Sequence, residues 1–272
     1  MHERGSVAVT QPRKRFFIAS TPRTGNVWMR RVLTGVLGIP NWAAWLPEDV
    51  AWSQLPADMS MAMHWRRSAA FEGFLRERGF RILVTARHPL DVLLSILQYA
   101  PGEPDAKRWI AGECGDERSL APETTPVDEA FVRYALGWRA SALLDVSVGW
   151  APTSDAVLRY ADFVRDPKGE LALVLRMLGL EPEEDVDAVL ARFSPESTRR
   201  LTPGHFWQGT PDLWKRLIVP QLAHAIRERH RAAFDAFGFA CDPDPALTES
   251  QARANWLALI AQRSPKAPEP RA

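Results

Sequence analysis

The chain has 272 residues, 46% of them hydrophobic, and its 34 Lys and Arg against 33 Asp and Glu leave a formal charge of +1. That length can bury a large core in one domain with appendages, and a near-zero charge offers no global attraction for nucleic acid or an anionic membrane surface. Two cysteines, Cys114 and Cys241, are too few for a disulfide framework or a cysteine metal cluster, and they fit a reducing cytoplasm.

Residues 1–14 read as a flexible tail, and the basic run Arg13-Lys14-Arg15 as a solvated turn before a strand. The apolar run Phe16 to Ala19 is too short for a signal peptide, and no segment approaches the ~20 apolar residues of a membrane span. A turn follows, Thr21-Pro22-Arg23-Thr24-Gly25-Asn26. From Val27 onward Met29, Val32, Leu33, Val36 and Leu37 recur at helical spacing. Strand, small-residue turn carrying an arginine, then helix is how a chain builds an anion site. The Walker pattern, two glycines five apart followed by Lys-Ser/Thr, is absent.

A weaker strand, "SMAMH" (60–64), ends at His64. The next, "RILVTAR" (81–87), ends at Arg87; Pro89 suits the first helical position, Asp91 the first turn, and Ser95 lies eight residues past Arg87. Taken alone, Arg87 reads first as a salt-bridge partner of Asp91 or of a helix end, and only second as a ligand contact. Residues 101–127 are aperiodic and rich in Pro, Gly and acids, as in a mobile loop or lid. The strand "AVLRY" (156–160) ends at Tyr160. A helix follows with Leu171, Val174, Leu175 and Leu178 on one face and Gly179 as its stop. From Trp214 to Phe237 a long helical pattern is bent or broken at Pro220, and residues 243–272 read as a C-terminal tail with one short helix. Strands alternating with helices predict an α/β domain over 15–242, a central parallel β-sheet flanked by helices.

Four segments carry a family resemblance. "PRTGNVWMRRVL" resembles the 5′-phosphosulfate loop of the sulfotransferases that use 3′-phosphoadenosine 5′-phosphosulfate (PAPS). "ILVTARHPLDVLLS" is similar to their 3′-phosphate motif, "RYADFVRDPKGELALVLRMLG" to their Tyr-x-Asp-x-x-x-Asp-Pro segment, and "GTPDLWKRL" to their carboxyl-terminal Gly-x-x-Gly-Asp-Trp-Lys stretch. They stand in the family's order and span roughly residues 15–216. The resemblance implies a P-loop-NTPase-like sulfotransferase fold. It implies that Arg23 and the amides of Thr24, Gly25, Asn26 and Val27 hold the 5′-phosphosulfate, with Trp28 stacked on the adenine while partly buried in the core. It puts Arg87 and Ser95 on the 3′-phosphate, Tyr160 at the adenine edge and Gly209 in the closing segment. His64, 23 residues before Arg87, takes the place of the family's catalytic histidine. It would act as general base in an in-line displacement, with Arg23 stabilising the leaving phosphate and no metal required.

Three positions depart from the family's pattern. Arg23 stands where lysine is common, Ala62-Met63 replaces Lys-Thr, and Trp207-Gln208-Gly209 replaces Arg-Lys-Gly, with Arg199 or Arg200 as candidates for the missing cations. Trp42, Trp45, Trp52, Trp65 and Trp109 flank the acceptor region and read as either pocket wall or core. The expected acceptor is a small molecule of secondary metabolism sulfated on a hydroxyl or amine, and a homodimer is an open expectation. Two rivals remain: a P-loop-type nucleotide-dependent kinase, and a non-catalytic nucleotide-binding module.

Overall fold

The computed structural model describes residues 13–100, 120–197 and 208–261. Five parallel strands form one sheet: β1 (Arg15–Ser20), β2 (Asn41–Ala43), β3 (Met59–Met63), β4 (Arg81–Ala86) and β5 (Ala156–Arg159), in the order β2-β3-β1-β4-β5. Central β1 pairs Phe17 with Met61 on one side and with Ile82 on the other. Its side chains alternate between two cores. Phe16 and Ile18 pack with α1 (Asn26–Val36) and with the later helices α6 (Tyr160–Arg165), α7 (Pro167–Met177) and α8 (Val186–Arg192). Phe17 and Ala19 face Met61, Val84, Trp150 and Leu75 of α2 (Ala69–Glu77). Burial on both faces is why β1 is a continuous apolar run rather than an alternating one.

A third core gathers α3 (Pro89–Tyr99), α4 (Glu129–Leu136), α5 (Trp138–Trp150), α9 (Pro220–Arg229), α10 (Arg231–Asp235) and α11 (Glu249–Ala261). Every residue of α3 is buried. On α11, Ala252 and Trp256 face inward, and Asn255 donates to the Arg216 carbonyl. No helix among the described residues is long and apolar enough to cross a membrane.

Several local expectations meet the structure directly. Pro89 begins α3, and Asp91 lies in its first turn. Leu171, Val174, Leu175 and Leu178 are buried, and Gly179, at φ +61°, ends the helix as Leu180 N–H reaches back to the Leu175 carbonyl. The pattern from Trp214 to Phe237 is not one bent helix: a 3-10 turn spans Leu213–Arg216, Pro220 opens α9 and a second break falls at His230. Proline lacks the N–H that a helix interior needs and fits its first turn. The basic run is not solvated either. Lys14 and Arg15 are buried, Lys14 paired with Glu183 and Arg15 over the Phe80 ring, because the strand begins at Arg15. Of the expected loop 101–127, residues 101–119 lie outside the described residues; the remainder forms turns that bury Leu120, Thr124 and Thr125.

Candidate functional site

The turn between β1 and α1 is held from behind. Thr21 N–H donates to Ser147 Oγ (2.7 Å) and its hydroxyl to the Leu143 carbonyl (2.8 Å), both on α5. Ser147 Oγ–H donates in turn to the Thr85 carbonyl of β4 (2.9 Å). Thr24 Oγ donates to the Thr21 carbonyl and lies 2.7 Å from the Thr85 hydroxyl. These bonds fix a turn in which Arg23 and Gly25 both take positive φ, +69° and +82°. No side chain caps α1. Its first N–H groups, those of Asn26 and Val27 included, therefore lack intrahelical acceptors and carry the positive end of the helix dipole.

Around this turn the ends of β1, β4 and β5 bring the sequence-predicted residues together. Arg23 Nε donates to Ser95 Oγ (3.0 Å), and its guanidinium lies 4.2 Å from the Tyr99 ring centroid. Arg87 donates to the Arg23 carbonyl (3.2 Å) and sits 4.7 Å from the Tyr160 ring centroid, while its buried Nε has no hydrogen-bond partner among the described residues. Ser95 thus meets Arg23 here, although the resemblance pairs it with Arg87. Tyr160 is 3% exposed; its ring fills the space a Cβ on Gly25 would need, and its hydroxyl donates to the Gly209 carbonyl (2.9 Å). Trp28 is 4% exposed, edge-on to Phe163 (4.9 Å), with its indole N–H donated to the Phe193 carbonyl (2.6 Å). The core half of its expected double role is the half the structure displays.

His64 follows β3, two strands from β4. Its Nδ1 lies 2.7 Å from the Ser20 carbonyl and 3.1 Å from Ser20 Oγ, which also accepts from Asn26 Nδ2 (3.0 Å). Only a protonated Nδ1 can bond a carbonyl oxygen, so Nε2 holds the ring's lone pair. Burial pushes the imidazole down to about 4; the Ser20 carbonyl opposes this, and the charges of Arg30 and Arg23 add to it. The ring is neutral at pH 7 and able to accept a proton.

Trp42 and Trp45 expose 46% and 56% of their surface, and Trp65 is half-buried, its carbonyl accepting from Trp150 Nε1. Trp52 packs edge-on to Phe71, Phe74 and Phe80 and belongs to the core under α2. Trp109, Trp207, Arg199 and Arg200 lie outside the described residues. Two contributors escape a sequence reading. Ser147 sits on a helix 126 residues from Thr21. Asp91, besides its first-turn place, accepts from the backbone N–H of Asp212 (2.9 Å) and Trp214 (3.0 Å) and so pins the segment after Gly209. Among the described residues no group of three or more His, Cys, Asp and Glu is placed to hold a metal ion.

No family model matches the chain, and no curated protein matches it in sequence. Its structure is similar to that of mouse sulfotransferase SULT7A1 complexed with PAP, at 14% identity over 81% of this chain and 84% of that one, with a TM-score of 0.60. Retinol dehydratase in complex with androsterone and inactive cofactor PAP is matched at 12% identity, 81% and 80% coverage and a TM-score of 0.46. A sulfotransferase from Alicyclobacillus acidocaldarius is matched at 15% identity, 85% and 97% coverage and a TM-score of 0.42. The first of these likenesses shows the fold: a parallel sheet with flanking helices arranged as in a sulfotransferase.

Proposed function

From a chain with the sulfotransferase fold, we propose a PAPS-dependent sulfotransferase that moves a sulfuryl group to a hydroxyl or amine of a small molecule, with His64 as general base. One observation carries the reading. The ring that could take the acceptor's proton and the turn that could hold the donor's phosphosulfate are joined through Ser20, by its carbonyl and hydroxyl on one side and by Asn26 on the other.

The residues fit such a donor. Arg87 carries a buried Nε with no partner among the described residues, and Gly25 lets the turn lie flat against Tyr160 with no Cβ between them. Arg23 and the first amides of α1 would hold the phosphosulfate; Arg87 and Ser95 would hold the 3′-phosphate; Trp28, Tyr160 and Gly209 would line the adenine side. The donor supplies an activated sulfuryl group whose leaving oxygen is a phosphate. His64 Nε2 takes the proton of the attacking hydroxyl, while the Ser20 carbonyl holds Nδ1–H in place as positive charge develops on the ring. Arg23 offers charge rather than a proton to the leaving side, since a guanidinium does not deprotonate. Preorganised cations and amides aimed at developing negative charge are the main means of rate enhancement in the related phosphoryl transfers.

The test is calorimetric titration with adenosine 3′,5′-bisphosphate without metal, beside ATP with Mg²⁺, followed by a transfer assay. Binding of the bisphosphate that is lost in Arg87→Ala is the expected result. Preference for ATP with Mg²⁺ would return the kinase. His64→Ala should still bind the bisphosphate yet lose ~10²–10⁴-fold in turnover. A protein that binds the bisphosphate but transfers nothing even with His64 intact would be a non-catalytic module.

A further inference from the structure

The third cation near this site, Arg30, has no part in that account. Asn26 and Arg30 are one turn apart on α1 and share a face. Asn26 reaches Ser20 Oγ, which touches His64 Nδ1, so Arg30 is the next position on the row that leads from the histidine. Its Nη1 donates to the Trp42 carbonyl of β2 (3.1 Å). Sheet order separates it from the phosphate-facing group: Arg23, Arg87 and Tyr160 gather over β1, β4 and β5, whereas Arg30 and His64 lie toward β3 and edge strand β2.

Some arginines of this chain have an acid. Arg67 has Glu72, Arg76 has Asp155, Arg227 has Asp235 and Arg253 has Asp128. Among the described residues Arg30 has no salt bridge, its Nε is buried with no acceptor, and its near neighbour in charge is Arg31. Burial first, then Arg31, push its pKa down to about 10. A half-buried guanidinium with no counter-ion is costly to keep, and it becomes favourable once a carboxylate pairs with it.

We infer that Arg30 anchors a carboxylate of the acceptor, so that the acceptor is an acidic hydroxy compound rather than a neutral one. This rests on the sulfuryl-transfer reading of the His64 site. An anion on Arg30 also cancels the largest of the charges set against a proton on His64, which makes the base stronger when the acidic acceptor is in place.

The experiment uses the full chain, first titrated with adenosine 3′,5′-bisphosphate. It is then titrated with 4-hydroxybenzoate, 4-hydroxyphenylacetate and 3-(4-hydroxyphenyl)propanoate, each against its uncharged primary amide. The expected result is that at least one acid binds ~10–100-fold tighter than its amide, the range of a charge-assisted hydrogen bond. That ratio should collapse in Arg30→Gln and be partly kept in Arg30→Lys. Equal binding of acid and amide at all three lengths in the unmutated protein overturns the inference, whatever the variants do. So does an Arg30→Gln variant that loses bisphosphate affinity in proportion, since Arg30 would then belong to the donor. Absence of bisphosphate binding defeats the sulfotransferase reading separately; the acid-to-amide ratio on the nucleotide-free protein still decides for or against an anion anchor at Arg30.

Discussion

His64 and Gly25 show how much of this site is set by single side chains. With its pKa held at about 4, His64 is already deprotonated well below neutrality. The acid limb of kcat/KM should therefore fall near pH 4–5, below the ~6.5 of an unperturbed imidazole. A limb near pH 6.5 in the free enzyme would show that the ring is not held as described. Gly25 has two independent reasons to lack a side chain: its φ of +82° and the Tyr160 ring where a Cβ would go. Gly25→Ala should cost about 2 kcal/mol of stability and abolish bisphosphate binding, read from a urea midpoint and a calorimetric titration on the same sample. The glycine was legible from its turn, and the histidine only through the family resemblance that sets it 23 residues ahead of Arg87. Arg30 was not. In a one-dimensional helical pattern it reads as an ordinary polar residue, and what sets it apart is its charge close to His64 and a buried Nε with no acceptor among the described residues.

At the scale of elements, the strongest link is Asp91. It is 2% exposed, and its two oxygens accept from two backbone N–H groups about 120 residues away, at Asp212 and Trp214. Burial raises its carboxyl pKa; Arg87, His88 and the two amides oppose the rise. His88 reinforces the same junction, its ring stacked 4.8 Å from Trp214 and its Nε2 on the Ala240 carbonyl. Asp91→Ala leaves two buried donors without acceptors and should lower stability by about 3 kcal/mol. Asp91→Asn, which keeps one acceptor, should cost less. Limited proteolysis after Gly209 ranks the two, and equal cleavage would assign Asp91 no hold on that segment. Sequence reading found β1 and β4 as short apolar runs, and α1, α3 and α7 by their helical period. It could not find β2, whose three residues are all exposed and carry no alternation, nor assign α5 a role, because the partners of Ser147 are distant in the chain.

Among the described residues, three histidines have pKa values below their ordinary range, His64, His88 and His230, each mainly through burial. A depressed folded-state value means that the unfolded chain binds more protons in the window between the two. Their stabilising effect is thus fully present above pH ~6.5 and fades as pH falls toward about 4 for His64. Asp91, shifted the opposite way, works against this trend. Urea midpoints should drop between pH 7.5 and pH 5.5. His88→Gln should be less stable at pH 7.5 but show a smaller drop, and an unchanged slope would remove His88 from the account.

The sheet's outermost strands are also its shortest, three residues in β2 and four in β5, while the long ones lie inside. An outer strand offers its unpaired backbone groups to any passing extended segment, and the length of that offer limits how firmly a foreign strand can attach. Here the offer is barely one turn of pleat on either flank. The fold can display tryptophans at one border of its sheet without also supplying the backbone ladder on which chains zip together into aggregates.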